Sequence, residues 1–111
     1  AFAFDVVRKP TSDIATILGG GWIASGPPAA SRQPRAAWPT GLRTLSREGA
    51  GEVQTPLRGR TARTLRVGDR VWMRHAKSRE GSERVASFHV VENGAVVDEI
   101  PTYRGEGKAF L

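Results

Sequence analysis

Glycine and proline interrupt this 111-residue chain so often that long helices have no room to form: thirteen glycines and seven prolines are spread along its length. Turn formers at this density join short strands. The expected fold class is therefore mainly β, a small distorted β-barrel or sandwich with few or no helices. The length fits a single domain over residues 1–111, with a real but modest core.

Period-two alternation marks the strands. Phe2, Phe4 and Val6 alternate with Ala3, Asp5 and Val7, and Lys9-Pro10 is the expected stop. Ile14 to Leu18 is a second apolar strand that runs into Gly19-Gly20-Gly21. Trp22 to Ser25 would continue it beyond a bend, and no good helix former follows. The glycine triplet thus reads as a bulge or barrel corner and not as a phosphate loop, which needs a helix N-terminus behind it. Gly26 to Pro39 reads as an extended loop, with Trp38 pinning it to the core. Gly41 to Glu48 is a short strand or irregular, and Glu52 to Leu57 is a strand. Arg58 to Leu65 is a basic connection holding a single weak helix candidate, Ala62 to Leu65. Ala76 to Ser82 is polar and loop-like. Val85 to Glu92 and Ala95 to Ile100 flank Asn93-Gly94, the strongest short hairpin signal in the chain, and Pro101 ends the second strand. Ala109-Phe110-Leu111 closes the chain on apolar residues.

The stretch from Val67 to Lys77, VGDRVWMRHAK, is the best frame for chemistry. Gly68-Asp69 turns the chain into a strand on which Val71 and Met73 face one way, Trp72 and Arg74 the other. The strand is expected to end on His75 and Lys77, both on one face. A strand end holds a side chain more firmly than a loop tip does. His75 is the first candidate for proton transfer, beside the plain reading of a strand histidine bonded to backbone. Lys77 offers an amine or a positive charge, and Arg104 a carboxylate or phosphate clamp. His89 reads as a structural histidine in an alternating strand. The two histidines lie far apart in sequence and share no metal-ligand spacing.

The balance of charge is +6, from 17 Lys and Arg against 11 Asp and Glu. Only Arg58 to Arg66 is dense, so a solvated or docked face is favoured over nucleic-acid binding. There is no cysteine, which excludes disulfides and thiolate metal sites and leaves cytoplasm as the default compartment. No apolar run approaches the roughly 20 residues of a membrane span. Ala1 to Val7 is apolar but lacks the basic segment of a signal peptide. The chain opens on Ala1, inside a strand pattern, which hints at a fragment.

Four segments carry a resemblance: TILGGGWIASG (Thr16 to Gly26), GAGEVQTPL (Gly49 to Leu57), LRVGDRVWMRHAKSRE (Leu65 to Glu80) and IPTYRGEGKAF (Ile100 to Phe110). In this order and at about this spacing, the chain resembles the C-terminal β-domain of the D-threonine aldolase and D-serine dehydratase family, in its amino-acid deaminase/aldolase branch. That family is similar in plan to alanine racemase. The resemblance implies a pyridoxal phosphate (PLP) barrel carrying the Schiff-base lysine, over whose mouth this domain closes. A barrel takes on the order of 250 residues and is not within this chain. The implied parent is a PLP-dependent lyase acting on D- or β-hydroxy amino acids, a homodimer, with this chain inactive alone.

The resemblance also implies site residues. The family's metal-binding histidine falls on His75, and Lys77 stands where the second ligand is expected. An ammonium cannot ligate unless it is deprotonated. A divalent metal on His75 therefore competes with an alternative in which Lys77 replaces the cation electrostatically and His75 moves a proton. The family's acidic-histidine segment falls on Glu52-Val53-Gln54, where the histidine is missing. Arg104-Gly105 matches a terminal Arg-Gly. Two other classes remain: an independent basic β-barrel that binds nucleic acid, with exposed aromatics beside Arg58 to Arg74, and a purely structural or dimerisation domain.

Overall fold

The computed structural model describes residues 1–27 and 29–109; Pro28, Phe110 and Leu111 lie outside the described residues. The chain divides into two compact units, Ala1–Lys77 and Ser78–Leu111. The first is a six-stranded antiparallel sheet built from β1 (Phe2–Thr11), β2 (Ile14–Leu18), β3 (Arg35–Trp38), β4 (Arg43–Thr44), β5 (Gln54–Arg58) and β6 (Arg70–Arg74). Its order is β3-β6-β1-β2-β5-β4, and the two edges approach each other, so the sheet is barrel-like and nearly closed.

β1 joins the halves of this sheet. Phe2 to Asp5 pair with β6, whereas Val6 to Thr11 pair with β2. The strand does not stop at Lys9-Pro10 as expected but runs on through Thr11. It can do so because the register with β2 shifts between Arg8 and Thr11, so Pro10 sits where the ladder is already irregular.

Alternation sends Phe2, Val6, Ala15, Ile17, Leu57, Val71 and Met73 into one core, which Leu42 and Ala62 complete. Val6, Ile17, Leu57, Val71 and Met73 are fully buried, each burial contributing about 1.5–3 kcal/mol. At one end three rings pack together. Phe2 stacks on Trp22 at 4.2 Å, and Phe4 meets Phe2 at 5.6 Å and Trp22 at 6.1 Å, both edge-on. Trp22 is thus used by the core through its ring, although it lies outside any strand.

The glycine triplet is a barrel corner. A Cβ on Gly21 would lie 2.6 Å from the backbone of Gly51 and Glu52, and one on Gly20 would lie 2.7 Å from the Thr55 hydroxyl. That hydroxyl is buried, donates to the Gly19 carbonyl at 2.7 Å and accepts from the Gly51 N–H at 3.0 Å. One side chain therefore satisfies two backbone groups that the turn strands.

Two expectations for the loop before β4 are corrected. It contains β3, and Trp38 does not reach the core but is 62% exposed. The cause is a register shift. Ala36 opposes Met73, but Trp38 and not Ala37 opposes Trp72. One extra residue reverses the side-chain phase, and Trp38 turns outward. The weak helix candidate near Ala62 is a 3-10 turn over Arg60–Arg63.

The second unit holds α1 (Ser78–Arg84), β7 (Ser87–Glu92) and β8 (Ala95–Pro101). The polar stretch expected to be loop-like is this short helix, with Glu80 and Gly81 buried. Asn93 and Gly94 both take positive φ, 50° and 79°, as the tight turn between paired strands requires. Thr102 anchors the segment after β8: its N–H donates to the Ala86 carbonyl at 2.9 Å and its hydroxyl to the Val85 carbonyl at 2.6 Å. Gly105 is fixed by close approach, since a Cβ there would lie 2.0 Å from the Ala86 carbonyl oxygen.

Candidate functional site

The face of the first unit opposite its core is organised by β3 and β6. Val71 and Met73 are fully buried, whereas Arg70, Trp72 and Arg74 face out, as alternation predicts. Trp72 is 43% exposed and lies opposite Trp38 on the neighbouring strand. Two residues further along β6, Arg74 lies opposite Arg35. Arg70 is neutralised by Asp5 of β1, with Nε 3.1 Å from Oδ1. Among the described residues Arg35 and Arg74 have no ion pair and no side-chain hydrogen bond. Like charges directly opposed on a ladder are unfavourable, so this pair is an unsatisfied feature of the surface.

β6 ends at Arg74, one residue short of His75. The expected arrangement of His75 and Lys77 on one strand face therefore does not form, because the ladder has stopped before either residue. His75 is partly buried, and its Nδ1 is fully buried without a hydrogen-bond partner. It lines a cavity of about 250 Å³ together with Ser31, Gln33, Arg35, Arg74 and Ala76. Lys77 is exposed and closes the first unit. Arg104 belongs to the second unit, where its Nε–H donates to the Glu83 carbonyl near the C-terminal end of α1. That contact gives Arg104 a local structural role.

In the second unit, Tyr103 presents a buried hydroxyl without a hydrogen bond, and burial first, then the Glu83 carboxylate, raises its pKa above the ordinary phenol value. His89 is exposed on β7 opposite Glu99, and its neighbour Phe88 is the more buried of the two.

Among the described residues no three His, Cys, Asp or Glu side chains converge. One imidazole followed by an ammonium does not make a cation site, so the described residues do not by themselves fit a divalent metal.

Arg35 is the residue that sequence reasoning missed. It becomes His75's neighbour only through the pairing of β3 with β6. The available signal was faint: Arg35 to Trp38 is a short run free of glycine and proline, held between Pro34 and Pro39. No helix among the described residues is long and apolar enough to cross a membrane. Comparison of the chain with protein-family models, curated proteins and solved structures returns no match.

Proposed function

We propose that this chain is the closing domain of a PLP-dependent lyase acting on D- or β-hydroxy amino acids, as its resemblance to the D-threonine aldolase and D-serine dehydratase family implies. The observation that carries the reading is the setting of His75, just beyond a strand anchored in the core by Val71 and Met73, partly exposed, with an unpartnered buried nitrogen. A histidine so placed is held by the six-stranded sheet through its buried side, and the exposed part of its ring is what a substrate would meet. In the parent protein PLP would be held by the barrel and would supply an electron sink for bond cleavage at the amino acid. His75 would take or return the proton of the substrate's β-hydroxyl, and Lys77 would supply positive charge close by in sequence. Arg104 supports the second unit through Glu83. The exposed apolar side chains Val91, Val96, Val97 and Ile100 of the β7-β8 ribbon are consistent with a domain that docks on a larger body.

The test is the protein purified from its native source. The reading expects a mass well above that of 111 residues, a yellow chromophore and turnover of D-threonine or D-serine that falls by about 100-fold or more in His75→Ala. A colourless native protein of this size would overturn it.

A second reading is favoured by one specific observation. Trp38 and Trp72 stand opposite each other in the open, 62% and 43% exposed, on a face that also carries Arg35, Arg70 and Arg74. Adjacent rings among arginines can stack bases while the cations meet phosphates. This reading expects the chain to bind single-stranded RNA with affinity that falls steeply as salt rises. Absence of binding at low salt discards it.

A further inference from the structure

The residues lining the cavity beside His75 have, taken together, a chemical character that the two readings use only singly. Every polar side chain lining it can donate a hydrogen bond, and no carboxylate is among them. Arg35 and Arg74 contribute two guanidinium groups from directly opposed positions, both without a counter-charge among the described residues. Gln33 has its carbonyl engaged, since Oε1 accepts from the Ala50 N–H at 3.1 Å. Its amide group lies against Gly49, and the NH₂ keeps a donor that no hydrogen bond among the described residues uses. Ser31 adds a hydroxyl from the 3-10 turn Ala30–Arg32. His75 adds a ring whose Nδ1 is buried and unpartnered.

We infer that Ser31, Gln33, Arg35, Arg74 and His75 form a binding site for a phosphate group at the β3-β6 edge of the six-stranded sheet. Two guanidinium groups match the two charges of a phosphate monoester or free phosphate, whereas a single carboxylate would leave one arginine uncompensated. Planar guanidinium forks and oxygen anions also fit each other geometrically. A ligand between Arg35 and Arg74 would relieve the like-charge opposition that the ladder enforces. The cavity has room for a small group and not for a large ligand. The inference needs only the first unit and does not rest on the lyase reading.

The test uses the 111-residue chain and inorganic phosphate, titrated at constant ionic strength against chloride and followed by amide and imidazole NMR. Saturable shifts centred on residues 31–36 and 74–76 and on the His75 ring are expected. Arg35→Gln and Arg74→Gln should each weaken binding by about tenfold or more; both residues are exposed, so the fold survives. Arg66→Gln, outside the cavity, should leave binding unchanged. Acetate should shift the same residues more weakly. The proposal is overturned if the shifts do not saturate, are reproduced by chloride, or persist in the Arg35→Gln/Arg74→Gln variant. It is also overturned if phosphate has no effect while a single-stranded oligonucleotide shifts the Trp38 and Trp72 indoles.

Discussion

The two units solve the problem of β-structure in opposite ways. In the first, six strands curl until the edges approach, and every second side chain of the central strands disappears into a shared core. In the second, two strands form a ribbon with no third strand beside it among the described residues; all seven residues of β8 are exposed. A two-stranded ribbon is marginal alone, so the second unit leans on other devices: the Asn93-Gly94 turn, the Thr102 anchor and the Arg104 contact with α1. The difference teaches that stability in this chain is concentrated in the first unit. The apolar surface in the second, at Val91, Val96, Val97 and Ile100, is left uncovered.

The sharpest way to break this contrast is to remove the same kind of group from each unit. Ile17→Ala empties a fully buried site and is expected to cost about 2–5 kcal/mol. Val96→Ala, on a side chain 61% exposed, is expected to change stability by about 0.5 kcal/mol or less. Chemical denaturation of both variants checks the pair, and similar losses would mean that the ribbon shares in the global core. A smaller effect is expected at the hairpin. Gly94→Ala puts a side chain at φ 79° and should cost about 1–2 kcal/mol. Hydrogen exchange should show lost protection over Ser87–Pro101, with β1, β2 and β5 unaffected.

The smallest effects sharpen the comparison by pH. In the first unit the Thr11 hydroxyl donates to Asp13 at 2.7 Å, and Arg58 lies 3.4 Å away; the hydroxyl foremost, then Asp13's own backbone N–H and the Arg58 charge, hold the Asp13 pKa below its ordinary value against an opposing desolvation. A depressed carboxylate stabilises the fold above its unfolded pKa, and that contribution is lost as pH falls through the folded value. In the second unit the raised Tyr103 pKa has the opposite sense: the neutral phenol is favoured in the fold, and stability declines as pH rises from the unfolded toward the folded value. NMR titration should therefore show acid sensitivity at Asp13, reduced in Thr11→Val, and alkaline sensitivity confined to the segment around Tyr103.

The strands with clean alternation or a defined turn were legible before any coordinates: β1, β2, β5, β6 and the β7-β8 hairpin all follow from local pattern. β3 was not, because it is a short edge strand whose only warrant is a distant partner, Arg74 to Trp72; β4 falls inside the stretch Gly41 to Glu48 read as a short strand or irregular, and its partner, Leu57 with Arg58, decides for the strand. α1 was missed because SREGSER carries no apolar stripe for a helix period to reveal. At the candidate site, His75 could be singled out from its strand. Arg35 could not, since its proximity arises from register and not from spacing. Trp38 was misread for a related reason: its direction depends on whether the ladder counts Ala37.

That uncounted residue has a consequence of its own. In β3 the bulge acts as a reading-frame shift written in side-chain direction: Ala36 is in the inward frame, and Trp38 is in the outward one. Loss of a single codon at Ala37 would restore the frame, send an indole toward Val71 and Met73, and erase half of the aromatic face without altering the chemistry of any surviving residue. Insertions and deletions here edit what the surface offers, whereas substitutions merely tune it.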